Sequence, residues 1–399
     1  MILDALIIPA WPKLAWVAHL PPNANAVTLY HGPCMEIGDG WAAEAVWAGK
    51  FGAGDFDNTD LVFGTGIRLR GNRVTFVSSG TTMDRLCYCQ HGGSWYISNS
   101  LPALLAVTDL ALPDDYTGYT DDISTIFFGL DDYKRTIPTS AEPVHLAYFD
   151  NVTFQDGRPT RTAKADSAGC FETFEDYYEF LVSTANRLAD NTNDRQRSHK
   201  IHSLTTVSSG YDAAATAVIV KRVGCRSAVT FKQSVSLWRG SDSGKHIAEQ
   251  LGLSCKSYNR TSTQYPLEES IWAAAGRPGI LNWTLFDYPQ PLCTLYTGCY
   301  GDEMWERRQW SLPYPFAGCT LSNGGIGEFR LFQGVFHCPV PFWGVRHRRE
   351  LSKISYSRQM EPWTLGNHYD RPIPRRILEE AGIPRTAFGQ RKRVTSHEA

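Results

Sequence analysis

The chain has 399 residues, 42% of them apolar and 20% charged. That length accommodates two domains with separate cores, and the composition excludes an intrinsically disordered chain. Thirty-nine Lys and Arg against 41 Asp and Glu leave a net charge of −2, which argues against a protein built to lie on nucleic acid.

Residues 1–165 read as β-rich. The apolar runs Ala26–Tyr30, Arg73–Val77 and Pro143–Phe149 are separated by Gly, Asn and Asp turn signals. Ser100 caps a short helix predicted over Ser100–Ala106. The polar stretch Asp156–Ser167, with Gly157 and Pro159, marks a domain boundary. An amphipathic helix follows, with Phe174, Tyr177, Tyr178, Phe180, Leu181 and Leu188 at helical spacing. Next come a strand at Ser203–Val207, a loop at Ser208–Tyr211 and a helix at Asp212–Val223 closed by Gly224. The strand Arg226–Phe231, the helix Asp242–Leu251 and the strand Leu253–Tyr258 complete a βαβαβ alternation. Such an alternation predicts a parallel sheet with helices on its faces.

Ten cysteines show no CxxC pair and no zinc-like grouping, and scattered thiols of this kind fit a reducing cytoplasm. Pro9, Pro12 and Lys13 interrupt the apolar start, which therefore does not read as a signal peptide. No stretch approaches the roughly 18 apolar residues of a membrane span.

The loop Ser208-Ser209-Gly210-Tyr211-Asp212 joins a strand to a helix through small residues. Backbone N–H groups and the positive helix end favour an anion there, and small side chains let phosphate oxygens approach the main chain. Asp212 can reach a Mg²⁺ held on those phosphates. A second strand-like run, Thr294–Thr297, leads into Gly298-Cys299-Tyr300-Gly301-Asp302-Glu303, where two glycines flank a turn carrying adjacent carboxylates. Hard oxygen ligands from two separate segments suit Mg²⁺ bound to a triphosphate. Each motif also has a plain reading, as a capped strand-to-helix turn and as a surface turn.

Over nearly its whole length the chain resembles the asparagine synthase-type enzymes of the PP-loop superfamily. The family loop Ser-Gly-Gly-x-Asp-Ser is matched by Ser208-Ser209-Gly210-Tyr211-Asp212-Ala213. The family motif Ser-Gly-Glu-Gly-Ala-Asp-Glu is matched by Thr297-Gly298-Cys299-Tyr300-Gly301-Asp302-Glu303. Arg85–Leu105 and Pro138–Phe149 resemble pieces of the family's glutaminase-like domain, in the family's order. The resemblance implies an α/β protein. A β-rich Ntn-like αββα domain would span residues 1–165, and a PP-loop (HUP-type) parallel-sheet domain would span 166–399. It implies adenylation of a small-molecule or peptide carboxylate by ATP, followed by amide formation with an amine or ammonia. Ser208, Ser209, Gly210, Tyr211, Asp212, Phe231 and Gly298 would bind the nucleotide, and Asp212 and Asp302 would hold Mg²⁺. Lys392 would approach the α-phosphate, and Cys299 would stand near the attacking amine. A homodimer is compatible with this reading, and a membrane partner is not.

Glutamine-hydrolysing members carry a cysteine directly after the initiator methionine, and here that position is Ile2. The resemblance therefore implies a glutaminase-like scaffold without its nucleophile. That arrangement is similar to the β-lactam synthetase and lasso-peptide cyclase branches. Ser209 replaces a glycine, Ala213 a hydroxyl residue, and Cys299 a Glu or Tyr. Two other readings stay open: a PP-loop transferase of sulfur or nitrogen, and a non-catalytic nucleotide-binding relative. His202, His246 and the tryptophans read as structural. Arg346–Arg349 reads as a solvated face, and Arg371–Glu380 as a structural helix carrying i,i+4 charge pairs.

Overall fold

A computed structural model describes residues 1–22, 25–155, 157–233, 241–260, 282–307, 326–367 and 369–389. The first region contributes β1 (Ile2–Ile7), β2 (Trp16–Leu20), β3 (Ala26–His31), β4 (Glu36–Gly38), β5 (Trp41–Trp47), β6 (Val62–Arg70) and β7 (Arg73–Val77). It continues with β8 (Arg85–His91), β9 (Ser94–Ser98), β10 (Thr136–Ile137), β11 (Val144–Tyr148), β12 (Asn151–Gln155) and β13 (Arg158–Thr162). They make two sheets, ordered β1-β3-β2-β9-β8-β11-β10 and β13-β12-β7-β6-β5-β4.

Period-two burial decides how the sheets pack. In β3, Val27 and Leu29 are buried while Thr28 and Tyr30 are half-buried. Trp16, Ala18, Val27 and Leu29 of one sheet meet Ile67, Val74, Phe76 and Val152 of the other in one apolar layer. Helix α1 (Leu101–Thr108) packs on the outer face of the first sheet, and its cap is the one expected: Ser100 accepts from the Ala103 N–H at 3.2 Å. Helix α2 (Tyr119–Ser124) lies nearby. The outer face of the second sheet carries Trp41, Trp47, Phe51 and Phe56. Helix α3 (Phe174–Thr192) packs on β5, with Leu181, Ala185 and Leu188 in the same apolar cluster as Val46. A capping box between Thr173 and Asp176 starts α3.

One expectation needs correction here. The stretch read as a polar boundary contains β13, which pairs antiparallel with β12. Its alternation is too weak to stand out from a loop, because no residue of β13 is buried.

The second region continues with β14 (Ile201–Thr206), α4 (Tyr211–Arg222), β15 (Ser227–Phe231), α5 (Lys245–Gln250), β16 (Ser254–Tyr258) and β17 (Leu292–Thr297). After these come α6 (Gly301–Met304), α7 (Gly327–Gln333), β18 (Val335–Pro339), α8 (Arg348–Tyr356) and α9 (Pro372–Glu380). The five strands form a wholly parallel sheet in the order β16-β15-β14-β17-β18. The chain is thus an α/β protein, with a β-rich first region and a parallel sheet in the second. The chain runs outward from β14 through β15 to β16, then returns to lay β17 on the other side of β14. A topological switch point therefore lies between β14 and β17.

The two regions meet through buried charge. Arg330 of α7 donates to Asp84 at 2.7 Å and to both oxygens of Glu44 at 2.9 and 3.1 Å. Thr65 and Asn99 also donate to Glu44. Removing one member of such a network leaves an uncompensated buried charge, at a cost of about 3–5 kcal/mol. The basic run read as solvated is in fact structural. Arg346 donates to the Lys164 carbonyl at 2.9 Å and pairs with Asp60 at 3.7 Å. Among the described residues no helix is long and apolar enough to cross a membrane.

Candidate functional site

Both candidate loops leave the sheet at the switch point, one from the carboxyl end of β14 and one from that of the adjacent β17. Open α/β sheets bind ligands in the crevice such a point creates. The β17 loop presses directly on the first turn of α4. A Cβ at Gly298 would stand 2.3 Å from the Ala213 nitrogen, and one at Gly301 would stand 2.2 Å from Asp212 Cγ. Only glycine permits either approach. Between them, Tyr300 adopts φ +67°. Such a conformation costs of order 1–3 kcal/mol for a residue with a side chain. It is held by the Tyr300 ring against Phe342, with centroids 4.4 Å apart, and by a 2.9 Å hydroxyl contact with Thr82 of the first region.

That packing brings Asp212 and Asp302 together around Arg371, which directly precedes α9. Arg371 Nη1 donates to Asp212, Nη2 to Asp302 at 2.9 Å, and Nε to Glu306 at 3.3 Å. The arginine side chain is 1% exposed. Burial pushes the Asp212 carboxyl up against the pull of Arg371, and Asp302 adds to the rise. One guanidinium faces three carboxyl groups, Asp212, Asp302 and Glu306, so the cluster holds more acid than base. Asp212 Oδ1 and Glu306 Oε1 are buried without a hydrogen-bond partner. Hard, under-satisfied oxygens in an acid-rich cluster fit a divalent cation. Among the described residues no three His, Cys, Asp or Glu side chains are grouped to hold a metal by themselves. A cation here would complete its shell with ligand oxygens, which is the usual habit of Mg²⁺.

The loop after β14 is braced from one side. The Ser209 N–H donates to the Asp242 carbonyl at 3.1 Å, and the Ser209 hydroxyl donates to the Asp242 carboxylate at 3.2 Å. The Gly210 N–H donates to Ser208 Oγ at 3.2 Å. These two amides are engaged within the protein, so an anion would rely on the first-turn N–H groups of α4, which have no intrahelical acceptor.

Tyr211 points inward. Its side chain is fully buried, its hydroxyl accepts from Arg375, and its ring meets Tyr369 at 4.8 Å and Phe388 at 5.9 Å. Only its backbone can face a ligand. Phe231 ends β15 on the same edge of the sheet. It packs on Phe286 at 4.9 Å under the Arg260 guanidinium, which lies 4.2 Å from its ring.

Burial pushes the Cys299 thiol up to about 12. It is therefore protonated at neutral pH and cannot serve as a base. Thr297 Oγ1 lies 2.8 Å from His337 Nε2 on the neighbouring strand β18. Burial pushes the His337 imidazole down to about 4, so it is neutral. Lys392 lies outside the described residues. The segment before it reaches the loop, because the Gly389 N–H donates to the Ser209 carbonyl at 2.9 Å.

Sequence reasoning missed Arg371, Arg375, Tyr369 and His337. Arg371 sits in an Arg-Pro helix entry and has acidic partners only across the fold, so nothing local marks it. His246, read as structural, donates from Nε2 to the Ala387 carbonyl at 2.9 Å and so anchors the segment that precedes Gly389.

No protein-family model matches the chain, and no curated protein matches it. Among solved structures, the chain is similar to a predicted subunit of tRNA methyltransferase from Methanocaldococcus jannaschii, at 17% identity and a TM-score of 0.23. That match covers 48% of this chain and 94% of that one. It is also similar to an alcohol dehydrogenase from Thermotoga maritima, at 11% identity and a TM-score of 0.16, over 85% of this chain and 91% of that one. At these TM-scores neither likeness bears on function, and the functional reading rests on the site itself.

Proposed function

We propose that the chain is an ATP-dependent, AMP-forming amide ligase or cyclase, with residues 166–399 as its nucleotide domain and 1–165 as a glutaminase-like scaffold. One observation carries this reading: two loops from adjacent strand ends meet at the switch point and place Asp212 and Asp302 on one buried guanidinium. Surplus acid at a helix N-terminus is a poor site for a bare anion and a good one for an anion that arrives with a divalent cation.

In this reading the α4 first turn and the Ser208–Asp212 backbone hold the pyrophosphate portion of ATP, with Phe231 and Gly298 bordering the nucleoside. Asp212 and Asp302 would hold Mg²⁺, which would neutralise phosphate charge. A carboxylate oxygen of the substrate attacks the α-phosphorus, the bond to the bridging oxygen breaks, and pyrophosphate leaves. An amine then attacks the acyl carbon, loses a proton, and displaces AMP. Lys392, carried by the segment anchored at Gly389, would stabilise charge at the α-phosphate. Cys299 would line the acyl side as a neutral thiol. Residues 1–165 would position the second region without hydrolysing glutamine.

A second reading, a non-catalytic nucleotide-binding relative, is favoured by the engagement of the Ser209 and Gly210 amides inside the protein. A third reading, sulfur or nitrogen transfer onto a nucleotide, would use the Cys299 thiol, which burial pushes toward its protonated form.

Calorimetry with ATP and Mg²⁺ on the native chain, Asp212→Asn and Asp302→Asn tests the site. Binding by the native chain that falls about tenfold or more in both variants supports it. No binding by the native chain defeats it. Exchange of labelled pyrophosphate into ATP, with candidate carboxylates present, then separates ligase from non-catalytic relative.

A further inference from the structure

Among the described residues the three sheets end in six edge strands, and five of these are protected. β10 has only two residues and β4 only three. β13 carries Arg158, Pro159 and Arg161, β16 carries the exposed Lys256, and β18 is buried throughout. Short, basic, proline-bearing or covered edges resist pairing with another chain. β1 differs. It is six residues long, reads Ile-Leu-Asp-Ala-Leu-Ile, and leaves Ile2 70%, Leu6 43% and Ile7 55% exposed.

Half of the β1 backbone is used by the fold. β1 runs parallel to β3, the Ile2 N–H donates to the Asn25 carbonyl, and the Ile8 N–H donates to the His31 carbonyl. Alternate residues of a strand turn their polar groups to the same neighbour. Ile2, Asp4, Leu6 and Ile8 therefore face β3, while Leu3, Ala5 and Ile7 turn N–H and C=O outward. No described strand pairs with that outward side. Leu3 and Ala5 also pack on the apolar layer between the two sheets, which puts Ile2, Asp4 and Leu6 on the opposite face.

We propose that β1 pairs antiparallel with β1 of a second copy of this chain, joining two seven-stranded sheets across a twofold axis at Ala5. The outward groups and the side chains select the same register. With Ala5 opposite the partner's Ala5, Leu3 stands opposite the partner's Ile7, and the outward N–H and C=O groups of these residues bond in reciprocal pairs. Leu3 then covers the exposed Ile7 of the other chain, on the face that continues the apolar layer. On the opposite face Asp4 stands beside the partner's Leu6. Shifting the axis to Asp4 sets two carboxylates about 4.5 Å apart at the Cα atoms, in a pair that repels. Asp4 thus fixes the register without closing the edge. The contact is isologous, so it consumes both edges and stops at two copies. It is separate from the proposed nucleotide site and stands whether or not that reading holds.

Sedimentation velocity over a concentration series of the full chain reads the association. Ile7→Lys and Leu6→Lys test the register. Both replace an exposed residue of the same strand and change the net charge equally. Ile7→Lys sets an ammonium beside the partner's Leu3 and should weaken the dimer about tenfold or more. Leu6→Lys sets one beside the partner's Asp4, twice per dimer, and should leave the dimer as tight as the native one or up to about fivefold tighter. Hydrogen exchange read by mass spectrometry should show the Leu3, Ala5 and Ile7 amides slowing only in the concentrated sample, with those of Asp4 and Leu6 slow throughout. A native chain that stays monomeric overturns the proposal, as does one that associates beyond two copies. Equal effects of the two lysines, whether both weaken association or neither does, overturn it as well, because the contact then does not have this register.

Discussion

The backbone N–H of Gly389 donates to the carbonyl of Ser209 at 2.9 Å, tying the segment after α9 to the candidate phosphate loop. Gly389 has φ +60°, and a Cβ there would stand 2.2 Å from the Tyr211 ring. A β-branched residue is strained in that conformation and cannot fit against the ring. Gly389→Val should therefore release the segment rather than shift Tyr211, which Arg375 and Phe388 fix from behind. Limited proteolysis beyond α9 should quicken. ATP affinity by calorimetry should fall about tenfold, the effect of losing one ordered contact of roughly 1.4 kcal/mol. Unchanged proteolysis would show that the segment does not depend on this contact.

Arg371 occupies the place between Asp212 and Asp302 that a divalent cation would take. A cation bound there would compete with Arg371 for the same oxygens. Arg371→Gln should lower stability by about 1–3 kcal/mol, because Asp212, Asp302 and Glu306, all partly exposed, lose their shared charged donor. It should also bind Mn²⁺ without nucleotide about tenfold more tightly than the native chain, with Mn²⁺ restoring much of the lost stability. Electron paramagnetic resonance of free Mn²⁺ and urea denaturation with and without Mn²⁺ measure both. If the variant binds Mn²⁺ no more tightly, Arg371 is not the cation's competitor.

Gly301 faces a tighter limit than most glycines, since its missing Cβ leaves the space that Asp212 Cγ fills. Gly301→Ala should cost about 1–3 kcal/mol through overpacking. It should also displace the Asp212 carboxylate from Arg371, so that nucleotide binding falls more than stability alone explains. Urea midpoints and calorimetry on the same variant separate the two effects. An Ala variant with native stability would mean that the β17 loop can move away freely.

How much was legible in the sequence follows from what is local. The strand-loop-helix units were readable because strand runs, small-residue loops and Gly224 or Gly252 at helix ends are signals within a few residues. Asp212 and Asp302 were readable for the same reason. Arg371 was not, because its three partners come from α4, α6 and the residues just beyond it. The internal engagement of the Ser209 amide was equally hidden, since it depends on where the loop before α5 returns. Strand β18 was missed because its five residues are buried on both faces, and a continuous apolar run has no period to detect. His337 lies within it, and a buried histidine has no local mark.

The charge state of His337 predicts a pH dependence. Burial lowers its imidazole from 6.5 to about 4, while in the unfolded chain it titrates near 6.5. The unfolded state therefore takes up a proton first as pH falls. Stability from this group is complete above pH 6.5 and is lost progressively down to about pH 4, below which no further loss occurs. The shift corresponds to roughly 3 kcal/mol at about 1.4 kcal/mol for each unit. Other groups titrate in the same window, so the measurement is a difference between the native chain and His337→Gln. Glutamine can still meet the Thr297 hydroxyl but does not ionise. Urea denaturation at intervals from pH 7 to pH 4 should show the native chain losing more stability than the variant. The gap should open below pH 6.5, not above it. Parallel curves would mean that His337 accepts a proton in the folded state as readily as in the unfolded one, and that water or a neighbouring oxygen reaches its Nδ1.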